Sequence, residues 1–307
     1  MPRISILTSL FCSEPYIQEL YDRSRVAVEK ITEDYEIVFV DDGSPDGGNA
    51  VVQRLIQEDK RVRLIELSKN FGQHRALLAG LQHVRGDIVF MIDSDLEEDP
   101  ALLGTFYQKM TGGDEEIDVV YGVMEKRKGG PLERLPGAVF YTIMNRISEV
   151  PLPRNVLGAR LMTSDFVKSL LEYGEAQPFL GGVIALAGYK QVGIPCEKGS
   201  KPVTTYKLRR KVNLAVNALL SFSTKPLTWV LACGCLITVA AASGVAGILL
   251  FGGSGPEESL GWAWIVASVW LMGGLTIVSV GVVGLYVGRI FGQVKRRPNT
   301  IIRKIYN

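Results

Sequence analysis

Histidine is nearly missing from this chain: there are two in 307 residues, His74 and His83, and neither has a cysteine or second histidine at ligand spacing. That argues against a zinc-type site built on imidazole or thiolate. His74 stays a candidate for the lining of a ligand pocket. The four cysteines form no disulfide framework, since Cys12 and Cys196 lie far apart and Cys233 and Cys235 share one apolar run. In a helix, positions i and i+2 point to different faces, so that pair suits packing, and the whole set suits a reducing compartment. Internal repeats and low-complexity segments are absent. The chain opens on an apolar strand pattern, Ile4 to Leu7, without the basic start and apolar stretch of about 7–15 residues that a signal peptide needs.

Charge is missing from two long stretches: residues 226–256 and 259–288 contain no Asp, Glu, Lys or Arg. Each exceeds the roughly 20 apolar residues that cross a bilayer as a helix, and the expected spans run from Leu227 to Phe251 and from Trp262 to Val287. The connector Gly252 to Gly261 has four glycines, Pro256, Glu257 and Glu258, and suits a tight helical hairpin. Acids are missing from the flanks. Residues 198–225 carry Lys198, Lys201, Lys207, Arg209, Arg210, Lys211 and Lys225, and the tail carries Arg289, Lys295, Arg296, Arg297, Arg303 and Lys304. Basic residues collect on the cytoplasmic side, so a multi-pass plasma (inner) membrane protein with both termini and the globular part in the cytoplasm is expected. Basic clusters beside spans favour anionic lipid or lipid phosphate over nucleic acid. The net charge of +2 averages a near-neutral part with this basic part.

The first 125 residues alternate strand and helix patterns. Ile4 to Leu7, Ile37 to Val40, Val62 to Leu67, Ile88 to Ile92 and Val119 to Tyr121 fit buried parallel strands of a doubly wound α/β domain. Ligands bind such sheets at the carboxyl ends of the strands. Further on, Leu208, Val212, Ala215, Val216, Leu219 and Phe222 share a helical face behind Arg209 to Lys211, which suits a helix in the membrane interface or one packed on the core. The expected division is residues 1–132 for the α/β core, 133–225 for the segment of amphipathic stretches, 226–288 for the membrane helices and 289–307 for a basic tail.

Acidic clusters end two of these strands, Asp41-Asp42-Gly43-Ser44-Pro45-Asp46 and Asp93-Ser94-Asp95-Leu96-Glu97. Asp93 and Asp95 can converge on a hard cation such as Mg²⁺ or Mn²⁺, with Glu97 a possible third ligand, although Asp-x-Asp alone is also a common turn. Together with Leu67-Ser-Lys-Asn-Phe-Gly72, Tyr121-Gly122, Ser221-Phe-Ser-Thr-Lys-Pro-Leu227 and the tail from Gly284 to Pro298, these stretches resemble the GT-A glycosyltransferases of family 2, in their polyprenyl-phosphate branch. The fold class implied is a Rossmann-like GT-A cytoplasmic domain with interfacial amphipathic helices and a two-helix transmembrane hairpin.

The resemblance implies transfer of one sugar, from UDP-glucose or UDP-N-acetylglucosamine, to an undecaprenyl-type phosphate, with inversion. The product would supply cell-envelope glycan modification. It implies that Asp42 contacts base or ribose, with Ser44 and Asn70 to Gly72 bordering the nucleotide, that Asp93 and Asp95 hold Mg²⁺ or Mn²⁺ on the diphosphate, and that Glu14 neighbours the ribose or uracil. Ser13 stands where the family often has Asn. Gly158, in Leu157-Gly-Ala-Arg-Leu-Met162, stands where related enzymes carry an Asp proposed as base, and Met124 where they often have Arg. Arg127 and Arg160 are the first candidates for the acceptor phosphate, with Lys126, Lys128, Arg209 and Arg210 behind them. Gly284 and Gly288 form a small-residue pair that suits helix packing within the hairpin or in a homo-oligomer, and tetramers occur among similar enzymes. Spans this apolar form no sugar path, so a separate flippase is expected.

A processive polysaccharide synthase is the nearest alternative, but its Gln-x-x-Arg-Trp motif is missing: no tryptophan follows an arginine here. A catalytically inactive membrane scaffold is the other, kept open by Gly158 and Met124.

Overall fold

The computed structural model describes residues 3–124, 155–174, 180–196, 227–237, 239, 243, 258–295 and 297–307. The chain forms two compact units. One comprises Met1–Arg146, Val150–Leu208 and Pro298–Asn307, and the other Ile147–Glu149 and Arg209–Arg297.

The first unit is built on an eight-stranded sheet. Its strands are β1 (Ile4–Leu10), β2 (Tyr35–Asp41), β3 (Val62–Leu67), β4 (Ile88–Met91), β5 (Val119–Met124), β6 (Val156–Thr163), β7 (Gln191–Cys196) and β8 (Ile302–Tyr306), in the order β7-β5-β6-β4-β1-β2-β3-β8. β1 pairs in parallel with both β2 and β4, so strand order reverses there. This is the switch point at which an open α/β sheet leaves a crevice beyond its carboxyl ends. All five sequence-predicted strands are present and point one way. β6 enters antiparallel between β4 and β5, and β8 closes the far edge antiparallel to β3.

Burial on both faces explains the near-continuous apolar runs of β1 to β4. Helices α1 (Glu14–Glu29), α2 (Gly48–Glu58) and α4 (Leu102–Thr111) cover one face, around Phe39, Phe90 and Phe106. Helices α3 (Gln73–Leu81), α5 (Ser164–Glu172) and α6 (Leu180–Leu186) cover the other, around Val40, Met91, Met162 and Phe166. Thr163 caps α5 by accepting the Phe166 N–H, as its position before an amphipathic run suggests. At the amino-terminal end of the sheet, buried Glu36 pairs with Arg63 at 2.9 Å and accepts from Ser5 Oγ and the Arg85 N–H.

Residues of the expected amphipathic segment and basic tail thus contribute β6, β7 and β8 to the sheet. β7 holds Pro195 at an edge, where a strand tolerates proline. In β8, Arg303 and Tyr306 both reach Glu66, so the basic character of the tail serves sheet closure as well as any membrane contact.

The second unit contains two described apolar helices, α7 (Leu227–Ile237) and α8 (Glu258–Val294). Within α8, Leu271–Val294 is 24 residues long with mean hydropathy 1.9, enough to cross a membrane by length and composition. Leu271, Ile277, Val280, Leu285 and Ile290 are exposed along it, an apolar surface that water does not tolerate on this scale. The helix runs past the expected end at Val287. Apart from residues 239 and 243, the remainder of the expected first span and the expected interfacial helix lie outside the described residues.

Candidate active site

Four loops leave the carboxyl ends of β1 to β4 around the switch point, and hydrogen bonds join each to the next. The loop after β1 meets the loop after β2 through the Cys12 N–H on Ser44 Oγ (2.8 Å), the Glu14 N–H on Asp46 Oδ2 (2.9 Å) and the Gly47 N–H on Glu14 Oε2 (2.9 Å). It meets the loop after β4 through the Ser13 and Ser94 hydroxyls, 2.8 Å apart. The loop after β2 holds the one after β3: both oxygens of Asp42 are engaged, accepting from the Phe71 N–H at 2.7 Å and the Gly72 N–H at 2.9 Å. Gly43, at φ +64°, makes this approach possible, because a Cβ there would stand 2.5 Å from the Lys69 carbonyl carbon. At the start of α3, Gln73 Nε2 donates to Asp93 Oδ1 at 2.7 Å. Cys12 and Leu96 sit at φ +55° and +57°, unusual for non-glycine residues, one in each loop flanking the switch point.

The sequence-predicted residues on these loops therefore gather, with some of them at work inside the protein. Asp42 is buried, and it fixes the Asn70–Gly72 turn. Burial pushes its carboxyl above the ordinary value; the two N–H groups oppose that shift and neighbouring Asp41 adds to it. Ser44 donates to Asp46 Oδ1 at 2.6 Å while accepting from Cys12, so its hydroxyl staples two loops. Glu14 holds Gly47. Asn70 is exposed at the crevice, and Phe11, at the end of β1, is a half-exposed aromatic that sequence reasoning passed over.

Asp93 and Asp95 are half-buried on the turn after β4. The Glu97 N–H donates to Asp95 Oδ1 at 3.1 Å, and Leu96 reverses the backbone between the two acids. Among the described residues no three His, Cys, Asp or Glu side chains are placed to share a metal ion; Glu97 lies half-buried on the same turn. Two half-buried carboxylates on a turn fit a small hard cation that completes its shell with phosphate oxygens and water. Gly158 contributes to that fit by presenting no side chain to Asp93 Oδ2.

Beneath Asp93 a cavity of about 250 Å³ opens between the sheet and helices α3 and α6. Gln73, Asp93 and Gly158 line it together with His74, Tyr121 and Arg160. Arg160 lies opposite Met91 and Tyr121 in the sheet, and its Nε is buried with no hydrogen-bond partner. Burial pushes the guanidinium down to about 10, against the support of Glu98, Tyr121 and Asp93, so it stays cationic at neutral pH. Burial, then the Arg160 charge, lowers His74 below the ordinary imidazole value. Lys126, Arg127, Lys128, Arg209 and Arg210 lie outside the described residues.

A reversed strand order with acidic turns above it defines the GT-A class of nucleotide-sugar-dependent folds. The chain belongs to glycosyl transferase family 2, whose sequence profile matches residues 5–171. It is 43% identical over 306 residues to a glycosyltransferase-named protein of Mycobacterium tuberculosis (strain CDC 1551 / Oshkosh), covering 99% of this chain and 88% of the relative. It is 30% identical over 310 residues to the prophage bactoprenol glucosyl transferase homolog of Escherichia coli (strain K12), covering 99% of each. Among solved structures, the mannosyltransferase PcManGT from Pyrobaculum calidifontis, in complex with GDP-Man and Mn²⁺, superposes with a TM-score of 0.50 at 17% identity. That match covers 96% of this chain and 86% of the mannosyltransferase, and it supports the fold alone.

Proposed function

We propose that this glycosyltransferase moves a single hexose from a nucleotide-sugar to polyprenyl phosphate at the cytoplasmic face of a membrane, with inversion at the anomeric carbon and dependence on Mg²⁺ or Mn²⁺. The observation that carries the reading is the Asp93-x-Asp95 turn at the mouth of a cavity floored by Arg160, in a chain that also bears the exposed apolar helix Leu271–Val294. The lipid acceptor takes its support from that helix and from relatives named bactoprenol glucosyl transferases. Those names also favour UDP-glucose as donor, with UDP-N-acetylglucosamine next.

In this reading Asp93 and Asp95 hold the cation, which would offset charge on the departing diphosphate. Phe11 offers a face to the base, and the Asn70–Gly72 turn, fixed by Asp42, borders the ribose. The hexose enters the cavity, where Arg160, Tyr121 and His74 face it. A phosphate oxygen of the acceptor forms the new bond to the anomeric carbon as the bond to the diphosphate oxygen breaks. A phosphate monoester has its second pKa near ~6 and is largely dianionic at neutral pH, so the step needs no protein base. That accords with Gly158, which offers no proton acceptor. Arg127 and Arg160, with Arg209 and Arg210, counter the acceptor's charge. The expected topology is a two-span hairpin, Leu227–Phe251 and Trp262–Val287, with both termini cytoplasmic; a homo-oligomer and a separate flippase complete the expectation.

The test is incubation of membranes carrying the chain with a panel of radiolabelled nucleotide-sugars, Mn²⁺ and polyprenyl phosphate, followed by lipid extraction. Label enters the lipid phase with UDP-glucose or UDP-N-acetylglucosamine and not with GDP-mannose. Lipid label from GDP-mannose alone would overturn the donor assignment, and label from no donor would overturn the acceptor.

A further inference from the structure

β6 carries a fault in its ladder. Tyr121 lies opposite Arg160 but Val123 lies opposite Val156, so the β6 strand spends two more residues than β5 over the same interval. Such a bulge takes backbone N–H groups out of the ladder, and buried ones need other acceptors. Gly158 and Ala159 donate theirs to the two oxygens of Glu98, at 2.7 and 2.5 Å. Glu98 is 0% exposed and lies three residues beyond Asp95 on the acidic turn. A carboxylate so deep requires compensation. The two N–H groups give it directly, and the nearby Arg160 guanidinium adds opposite charge.

The bulge bears on Asp93. It brings the bare Cα of Gly158 against that carboxylate, so close that an added Cβ would lie 2.7 Å from Oδ2 and 2.9 Å from Cγ. Gln73 Nε2 holds Oδ1. Asp93 thus rests between a helix-borne amide and a strand surface whose shape Glu98 maintains.

We propose that Glu98 is a positioning residue for Asp93: by clamping the β6 bulge to the acidic turn, it fixes the surface on which the Asp93 carboxylate rests and so sets the divalent-cation affinity of the site. This rests on the reading of Asp93 and Asp95 as the pair that holds the cation. Glu98→Gln is nearly isosteric, but its amide can accept from one N–H only and turns a donor toward the other. Glu98→Asp keeps the charge on a shorter stem.

The experiment uses the full chain in detergent or nanodiscs. It combines Mn²⁺ titration in the presence of UDP, read by electron paramagnetic resonance of unbound Mn²⁺, with amide hydrogen exchange. Glu98→Gln is expected to raise the Mn²⁺ dissociation constant at least about tenfold and to speed exchange over residues 157–159 and the acidic turn, with β1 to β3 unchanged. Glu98→Asp is expected to recover part of both. A Glu98→Gln titration that overlays the unaltered chain overturns the proposal, as does faster exchange throughout β1 to β3, since Glu98 would then serve the fold at large. If the unaltered chain takes up no Mn²⁺ with UDP, the cation reading fails and the proposal falls with it; the exchange arm then still tells whether Glu98 holds the bulge, which separates the two failures.

Discussion

A methyl group added at Gly158 meets Asp93 Oδ2 at 2.7 Å, Cγ at 2.9 Å and Oδ1 at 3.0 Å. These atoms end a rotatable side chain, so the carboxylate would yield before the strand did. Gly158→Ala is therefore expected to lower kcat/KM by about 10- to 100-fold, the scale of a misplacement of about 1 Å at a reacting centre, and to leave the melting temperature nearly unchanged. Steady-state kinetics beside a thermal melt would check it, and a large stability loss at full activity would contradict the geometry. Asp93 and Asp95 were legible in the sequence because paired acids at the end of an apolar run mark a crevice. Asp42 and Ser44 were legible as crevice residues for the same reason, and Glu14 through the family resemblance, but their bonds to Phe71, Cys12 and Gly47 depend on how neighbouring loops approach. Gln73 and Glu98 had no local signature at all. Their partners are set by strand register and a bulge, which no spacing along the chain reports.

Hydrogen bonds between elements tie the loops after β1 and β2 together. Asp46 joins the loop after β2 to the starts of α1 and α2, accepting from Ser44 Oγ and from the N–H groups of Glu14 and Gly48. Burial alone would raise its carboxyl, but these bonds outweigh burial and hold it below the ordinary value of 3.8. A depressed carboxylate contributes stability that is fully present above the unfolded value and is lost as pH falls through the folded one. Asp46→Asn is expected to cost about 1–2 kcal/mol at pH 7, the scale of hydrogen bonds to a charged group, and the gap should close as melts are taken toward pH 3. A gap constant across that range would show that the charge is not what matters. The five parallel strands were read from sequence because burial on both faces leaves long apolar runs. β6, β7 and β8 were not, since a bulge, an edge proline and the charges of Ile302–Tyr306 break the patterns that mark a strand.

At the scale of the molecule, one chain combines a nucleotide-sugar fold with an apolar helix, and its last ten residues belong to the catalytic unit. Hydropathy made the apolar helix Leu271–Val294 legible. The return of the tail to β3 was hidden because it is an antiparallel pairing across some 240 residues of sequence, as in Tyr306 on Glu66. We propose that the acidic turn after β4 drives sugar transfer to a lipid phosphate. The most direct test reconstitutes the purified full chain in liposomes with radiolabelled UDP-glucose and Mn²⁺, with polyprenyl phosphate or the unphosphorylated polyprenol as acceptor, and counts label in the extracted lipid. Label is expected only with the phosphate, falling by at least about 100-fold in Asp95→Ala. Equal label with the free polyprenol, or full activity in Asp95→Ala, would contradict it.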